Sequence, residues 1–307
     1  MVREMGGEMR DISELLGSRY PIIQGAMGVI CNPEMVAAVS EAGGYGLLAT
    51  AFLADPELLS KQIQAVKRLT DKPFGGNLMA MNPMSTAFAE ILCEHGIRAV
   101  TTSAGSPKGL VSLLKDRGVK VLHVVANVDN AIKAEEAGVD AVIAEGTESG
   151  GIQGYKGAST MVLVPMVVDA VRIPVVAAGG IGDSRGYRAA FALGAKGVQV
   201  GTRFIASHEC IAHVNYKKAL CHAKETDTVL ITRGKIRVRV IRTPFAEDLL
   251  ENPRDEAFGS LSGSLEEAWI KGNLKTYTLP SGQITGMIRK VKSIREIIEE
   301  MVGGQGQ

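Results

Sequence analysis

Between about residue 20 and residue 225, short β-branched runs that end in Gly, Ala or Asn alternate with stretches whose apolar positions recur at helical spacing. That alternation is the pattern of strands and helices building a parallel sheet. The strand candidates are Pro21 to Met27, Tyr45 to Thr50, Phe74 to Ala80, Ala99 to Gly105, Lys120 to Ala126, Ala141 to Gly146, Ile173 to Gly180 and Gly197 to Phe204, eight in all. Helices fit between them at Pro33 to Ala42, Asp55 to Leu69, Met84 to His95, Lys108 to Arg117, Asn130 to Ala137 and Ser184 to Leu193. Five of these run straight into a glycine (Gly43, Gly96, Gly118, Gly138, Gly194), where a left-handed residue closes a helix at least cost.

Eight strand-helix units over about 200 residues predict an α/β fold of the (β/α)8 TIM barrel type, with a doubly wound sheet as the alternative. From about 208 to 290 the alternation breaks. Thr228 to Arg242 alternates like a strand, and RTPFAEDLLENPRDEAFGSLSGSLEEAWIKGN reads as short helices and turns. The expected organisation is a barrel over 1–207 and 288–307 and a small, mainly helical insert over 208–287. VKSIREIIEEMV closes the chain as an amphipathic helix, with Val291, Ile294, Ile297, Ile298 and Val302 on one face that returns to the barrel wall.

Composition changes this picture in one respect. The 307 residues include 36 glycines, where an average usage of about 7% gives roughly 21. With 46% hydrophobic residues and no Gly-X-Y period, neither collagen nor disorder accounts for the excess. A net charge of +1 supplies no overall field to draw nucleic acid or an anionic membrane. MVREMGGEMR lacks the apolar core of a secretory signal, and the longest apolar stretch, Met161 to Val168, is far short of the roughly 18 residues of a membrane span. Four scattered cysteines form no CxxC pair and no metal-ligand spacing. A soluble, cytoplasmic protein without a metal is the expectation.

In a barrel, chemistry sits at the carboxyl ends of the strands. There the remaining glycines gather. Gly179 and Gly180 end strand seven, Gly201 and Thr202 end strand eight, and bare backbone at those two strands suits a phosphate. Asp183 or Ser184 reads as the N-cap of the next helix. Gly25, Ala26 and Met27 end strand one, Gly75, Gly76 and Asn77 end strand three, and AEGTESGGIQG (Glu145 to Gly154) ends strand six. A floor of small residues there makes room for a flat group, with Asn77, Glu145 and Gln199 offering hydrogen bonds at its edges. FMN fits that description.

IIQGAMGVI, EAGGYGLLAT, PFGGNL, AVIAEGTESGG, PVVAAGGIGDSRG and GVQVGTRFIAS, in this order, resemble the FMN-dependent nitronate monooxygenase (2-nitropropane dioxygenase) and enoyl-acyl-carrier-protein reductase II family over nearly the whole chain. IRTPFAEDL, the GSL before the next helix and SGQITGMI look more like the reductase branch. The resemblance implies a barrel that binds FMN and a small domain over the substrate side. It carries cofactor contacts onto Gly25, Ala26, Met27, Asn77, Glu145, Gly179, Gly180, Gly201 and Thr202, with Gln199 and the Ser149, Gly150, Gly151 loop beside them.

One departure matters. The family's loop after strand six usually reads E-A/S-G-G-H-x-G, and its histidine is the acid or base beside the flavin, whereas this chain has Ile152 there. An isoleucine cannot move a proton. Candidate substitutes are His123, if it points from mid-strand into the barrel mouth rather than sitting as a satisfied core histidine, and Tyr155 on the following loop. Gln153 can only donate and accept hydrogen bonds. His95, His208, His213 and His222 read as structural, and Cys31 as a buried small hydrophobe.

RGKIRVRVIR places Arg233, Lys235, Arg237 and Arg239 on one strand face, either a solvated surface or a docking patch for an acidic acyl carrier protein or for coenzyme or nicotinamide phosphates. The expected function is oxidation of small nitronates at FMN. The alternatives are reduction of an enoyl thioester with NADH or NADPH as co-substrate, and an FMN-binding protein whose catalysis is weak or lost because of Ile152. A non-flavin barrel of the inosine-monophosphate dehydrogenase kind requires a cysteine on the loop after strand six, and none lies there. Substrate is expected to enter between that loop and the insert, and a homodimer is compatible with this reading.

Overall fold

The computed structural model describes residues 11–154, 156–233, 236–252 and 262–303. Among these residues the strands run β1 (Ile22–Gln24), β2 (Gly46–Ala49), β3 (Phe74–Met79), β4 (Ala99–Ser103), β5 (Lys120–Val125), β6 (Ala141–Glu145), β7 (Gly151–Gln153), β8 (Val175–Ala178), β9 (Gly197–Val200), β10 (Thr228–Arg233) and β11 (Ile236–Ile241). Eight of them form one parallel sheet in the order β1-β9-β8-β6-β5-β4-β3-β2. Its ends meet: Tyr45 N donates to Ile22 O at 2.8 Å and Gln24 N to Tyr45 O at 2.9 Å. The sheet is a closed (β/α)8 barrel, and each of its strands lies inside a span the sequence predicts.

Residues alternate across this wall between two apolar layers. The inner one joins Ile23, Tyr45, Leu47, Ala99, Leu122, Ile143, Val176 and Ala178, while Ile22, Leu48, Val100, Val121, Val142 and Val198 pack outward against the helices. Tyr45 fills the lower barrel, its hydroxyl donating to Ala99 O at 2.8 Å. Gly75 and Gly76 answer to this packing. A Cβ on Gly75 would lie 2.3 Å from Ala99 O and 2.8 Å from the Tyr45 ring, and one on Gly76 would meet Leu92 at 2.9 Å. This glycine pair therefore makes room for the core, not for a cofactor. A five-residue helix, Ile12–Leu16, closes the amino end with Ile12 and Leu16 in the inner layer.

The five helix-terminal glycines all have positive φ, between +68° and +94°. β9 stops at Val200, and Thr202–Ile205 is a helical turn rather than the strand's continuation. The helix Thr160–Ala170 is apolar on nearly every side and carries Pro165 inside it, so its sequence has no helical stripe.

In the insert, β10 and β11 form an antiparallel hairpin, and β11 also pairs with β7 from the barrel's sixth loop. Val229, Ile231, Val238 and Val240 face Ala246 and Leu249 of the helix Pro244–Glu251 in a small core of their own. Among the described residues, helices Val214–His222 and Ser262–Trp269 and the 3-10 turn Gln283–Met287 also belong to the insert. The last helix, Ile294–Gly303, returns to the barrel wall on Ile294, Ile297, Ile298 and Met301, all buried.

Candidate active site

Because paired residues of a parallel sheet share a face, the ladders identify what looks inward. Glu145 pairs with Ala178, Ala178 with Gln199, and Gln199 with Ile23, placing Glu145 and Gln199 on the inner face. Asn77 pairs with Ala49 and Thr101 on the same face. Its amide is aimed by β4, donating to Thr101 Oγ1 at 2.9 Å and accepting from Ser103 Oγ at 3.3 Å. Gly25 N donates to Val200 O at 2.8 Å, and a Cβ on Gly25 would lie 3.4 Å from the Gly201 Cα. The two glycines thus bring two strand ends together, with the Met27 side chain against Gly201.

Gly179 and Gly180 follow β8 with φ of +97° and +73°. Two consecutive left-handed residues are open to glycine and strained for others, and they leave the main chain bare. Thr202 is buried, and its hydroxyl accepts from Gly282 N at 2.9 Å. The structure therefore brings the ends of β1, β3, β6, β8 and β9 around one mouth, with exposed backbone on the β8 and β9 side.

The sixth loop is tied down by polar contacts. Gln153 Nε2 donates to Ser149 Oγ and to Ser149 O, both at 2.8 Å, which holds the Ser149 side chain beside Glu145. Burial lifts the Glu145 carboxyl from its ordinary value near 4.5 to about 7, the nearby Ser149 side chain opposing the shift. A carboxyl so tuned exchanges a proton near neutral pH. Glu148 does structural work: its carboxylate accepts Thr160 N at 2.8 Å and Thr160 Oγ1 at 3.0 Å, capping Thr160–Ala170. Gly150 packs rather than opens the loop, since a Cβ would lie 2.6 Å from Gly282 N, whereas Gly151 has φ +81° and open space around it. Sequence reasoning passed over the Glu145–Ser149–Gln153 relay, although polar residues at four-residue steps through a glycine-rich strand end were a usable signal.

Several expectations change. His123 does not reach the mouth: it pairs with Thr102 and Val142, and Val142 belongs to the outer layer. Its Nδ1 is 2.8 Å from Thr102 Oγ1, and burial lowers its pKa to about 4, leaving a neutral imidazole behind the barrel wall. Leu122 and Val124 hold the inner positions of β5. Ile152 lies on β7 and is 36% exposed. Tyr155 and Lys235 lie outside the described residues, as does the Arg233 side chain. Arg239 does not lie on an exposed face. It is 8% exposed, and its Nε donates to Thr147 O at 2.8 Å and its Nη1 to Thr228 Oγ1 at 3.1 Å. Arg237 on the same face is half-buried.

His95 bonds Ser60 Oγ at 2.8 Å, His213 Nδ1 caps its helix by accepting from Asn215 N, and His222 bonds Lys218 O. Cys31 is buried, its thiol pushed up to about 12 by desolvation. Among the described residues no set of His, Cys, Asp and Glu is grouped to hold a metal, and no helix is long and apolar enough to cross a membrane. The rim of the mouth is apolar: Val29, Phe52, Met81 and Ile152 are exposed on the loops after β1, β2, β3 and β6.

Residues 10–304 match the family model for nitronate monooxygenase. A probable nitronate monooxygenase of Staphylococcus saprophyticus is 34% identical, over 95% of this chain and 96% of that protein. The (3aS,4S,5R,7aS)-5-hydroxy-7a-methyl-1-oxo-octahydro-1H-indene-4-carboxyl-CoA dehydrogenase of Rhodococcus jostii is 41% identical, over 87% of this chain and 73% of that one. Among solved structures, FabK from Thermotoga maritima superposes with a TM-score of 0.89 at 42% identity, covering 96% of both chains. Matched over nearly its whole length and built on the same closed barrel, the chain belongs to the nitronate monooxygenase family of oxidoreductases.

Proposed function

We propose that the protein is an FMN-dependent oxidoreductase whose substrate is an apolar acyl group carried as a thioester, with Glu145 exchanging the proton. One observation carries this reading: an inward carboxyl at a strand end, lifted by burial to about 7. The residues present fit FMN. Bare main chain at Gly179, Gly180 and Gly201 suits its phosphate, and Asn77 and Gln199 suit the polar edge of its ring. FMN bound there would supply a two-electron carrier.

Adding or removing two hydrogens at neighbouring acyl carbons moves a hydride and a proton, and the proton half falls to Glu145. Gln153 holds the Ser149 side chain beside that carboxyl. The rim of Val29, Phe52, Met81 and Ile152 offers the acyl chain an apolar entrance that turns water away. The Rhodococcus relative is named for a carboxyl-CoA substrate, which supports the thioester. NADH or NADPH is the expected electron source in the reducing direction.

Oxidation of small nitronates is the second reading, favoured by Ile152: an already ionised nitronate requires no base at that position, and the Staphylococcus relative bears that name. Anaerobic flavin spectroscopy separates the two. Bleaching by NADH or NADPH with recovery on adding an enoyl thioester is the result expected; bleaching by a nitronate alone selects the second reading. A protein that takes up no FMN overturns both.

A further inference from the structure

On the β8 and β9 side, outside the glycine cradle, lies a hollow of about 340 Å³. Its floor is Ile284 and Ile288, and its charged lining is Asp183, Arg203, Arg289, Lys290, Lys292 and Glu300. The two acids are already engaged: Asp183 accepts from Arg185 at 2.5 Å, and Glu300 pairs with Lys292. Among the described residues no carboxylate lies within ion-pair distance of Arg203, Arg289 or Lys290. Arg203 is only 7% exposed. One of its nitrogens donates to Lys290 O at 3.2 Å, and Arg289 Nη1 donates to Ala223 O at 3.3 Å, so each guanidinium is held in place by a carbonyl without being neutralised. Burial pulls the Arg203 pKa down, with Glu300 opposing.

An unneutralised guanidinium held more than nine-tenths buried at the wall of a cavity is costly unless an anion completes it. We infer that this hollow is a second anion site, separate from the flavin cradle, for a phosphate monoester dianion. The three cations left without an acid partner, Arg203, Arg289 and Lys290, set the sign of the ligand, and two planar guanidinium groups match phosphate oxygens better than a point charge does. The volume is at the lower end of ligand pockets, enough for a phosphate with part of the group that carries it. Arg203 directly follows Thr202, and Gly182 lies two residues past Gly180, so such a ligand would sit on the rim of the same barrel end. The phosphate could arrive on coenzyme A, on NADPH, or free.

The test is isothermal titration of the full chain, loaded with FMN and then desalted so that the cradle is filled and no free FMN competes with the probe, with 3′,5′-ADP, 2′,5′-ADP and inorganic phosphate in turn. At least one is expected to bind, with affinity reduced tenfold or more in Arg203→Met and in the double variant Arg289→Gln/Lys290→Gln. The latter changes two exposed side chains and so tests the site without touching the core. Preference for 3′,5′-ADP assigns the phosphate to coenzyme A, preference for 2′,5′-ADP to NADPH, and equal binding of all three to the free anion. No binding at millimolar concentration, or binding unchanged in the double variant, overturns the proposal.

Discussion

Ile152 stands directly across from Val238 in the antiparallel ladder that joins the barrel's sixth loop to the insert. Its neighbour Gln153, on the opposite face, is the one that bonds Ser149, the residue beside Glu145. The relay and the position where the family keeps its histidine therefore lie on different faces of one strand. Replacing Ile152 by His leaves the relay in place, and kcat is expected to stay within about twofold, whereas the gain from a working general base is about 10² or more. Steady-state assay of the variant checks this. A rise of that larger size would show that the missing base, not Glu145, limits turnover.

Glu145→Gln removes the proton carrier but keeps the shape. A fall in kcat of about 10² to 10⁴ is expected, together with loss of the limb near pH 7 in the pH profile. Stability moves the other way. A carboxyl whose folded pKa is raised holds its proton more tightly when folded, so its contribution is complete below its ordinary value near 4.5 and is lost as pH rises through about 7. Glu145→Gln escapes that loss and is expected to be the more stable protein at alkaline pH by about 3 kcal/mol, with little difference near pH 4.5. Urea unfolding across this range measures it, and a difference independent of pH would refute the buried carboxyl.

The barrel was legible because its strands are buried on both faces: each appears as an apolar run stopped by glycine, and the helices between them carry a stripe. The same property hid which way His123 points, since KVLHVV is apolar on both faces and only the ladder to Thr102 and Val142 assigns a side. β7 was not legible. Gly151–Gln153 is a strand only because β11, more than eighty residues later, pairs with it. Ile12–Leu16 is too short to show a period, and Thr160–Ala170 is too uniformly apolar. Asn77, Glu145 and Gln199 were found from their places at strand ends, whereas the relay to Gln153 depends on how a glycine-rich loop turns.

The two glycines after β8 have different neighbours, and this predicts an order of damage. Both have positive φ, so alanine costs roughly 1 to 2 kcal/mol in backbone strain at either. At Gly179 a Cβ would also lie 2.9 Å from Gly146 O and 3.2 Å from Ser149 N, while at Gly180 the nearest atom is Glu148 Cβ at 3.5 Å. Gly179→Ala is expected to lose more stability than Gly180→Ala, and both to weaken FMN binding. Thermal unfolding with and without FMN reads the two effects separately; equal losses would contradict the close packing at Gly179.

Arg239 distinguishes a docking surface from an internal strut. Four cations on alternate positions of the sequence invite the first description, but the run turns between β10 and β11, and two of the Arg239 nitrogens are committed to Thr147 O and Thr228 Oγ1 inside the structure. Hydrogen bonds from a charged donor are worth about 1.5 to 3 kcal/mol, and removing the donor leaves Thr147 O without it beside the loop that carries Ser149. Arg239→Gln is therefore expected to cost about 2 kcal/mol and to speed amide exchange at Thr147 to Ser149. Arg237→Gln, half-buried on the same face, is expected to change stability by less than about 0.5 kcal/mol. Were the strand a docking patch, the two substitutions would instead weaken binding of an acidic partner alike and leave amide exchange in the loop unchanged. Hydrogen exchange on both variants decides between these outcomes, because only the strut transmits the loss of a side chain in the insert to the loop beside Glu145.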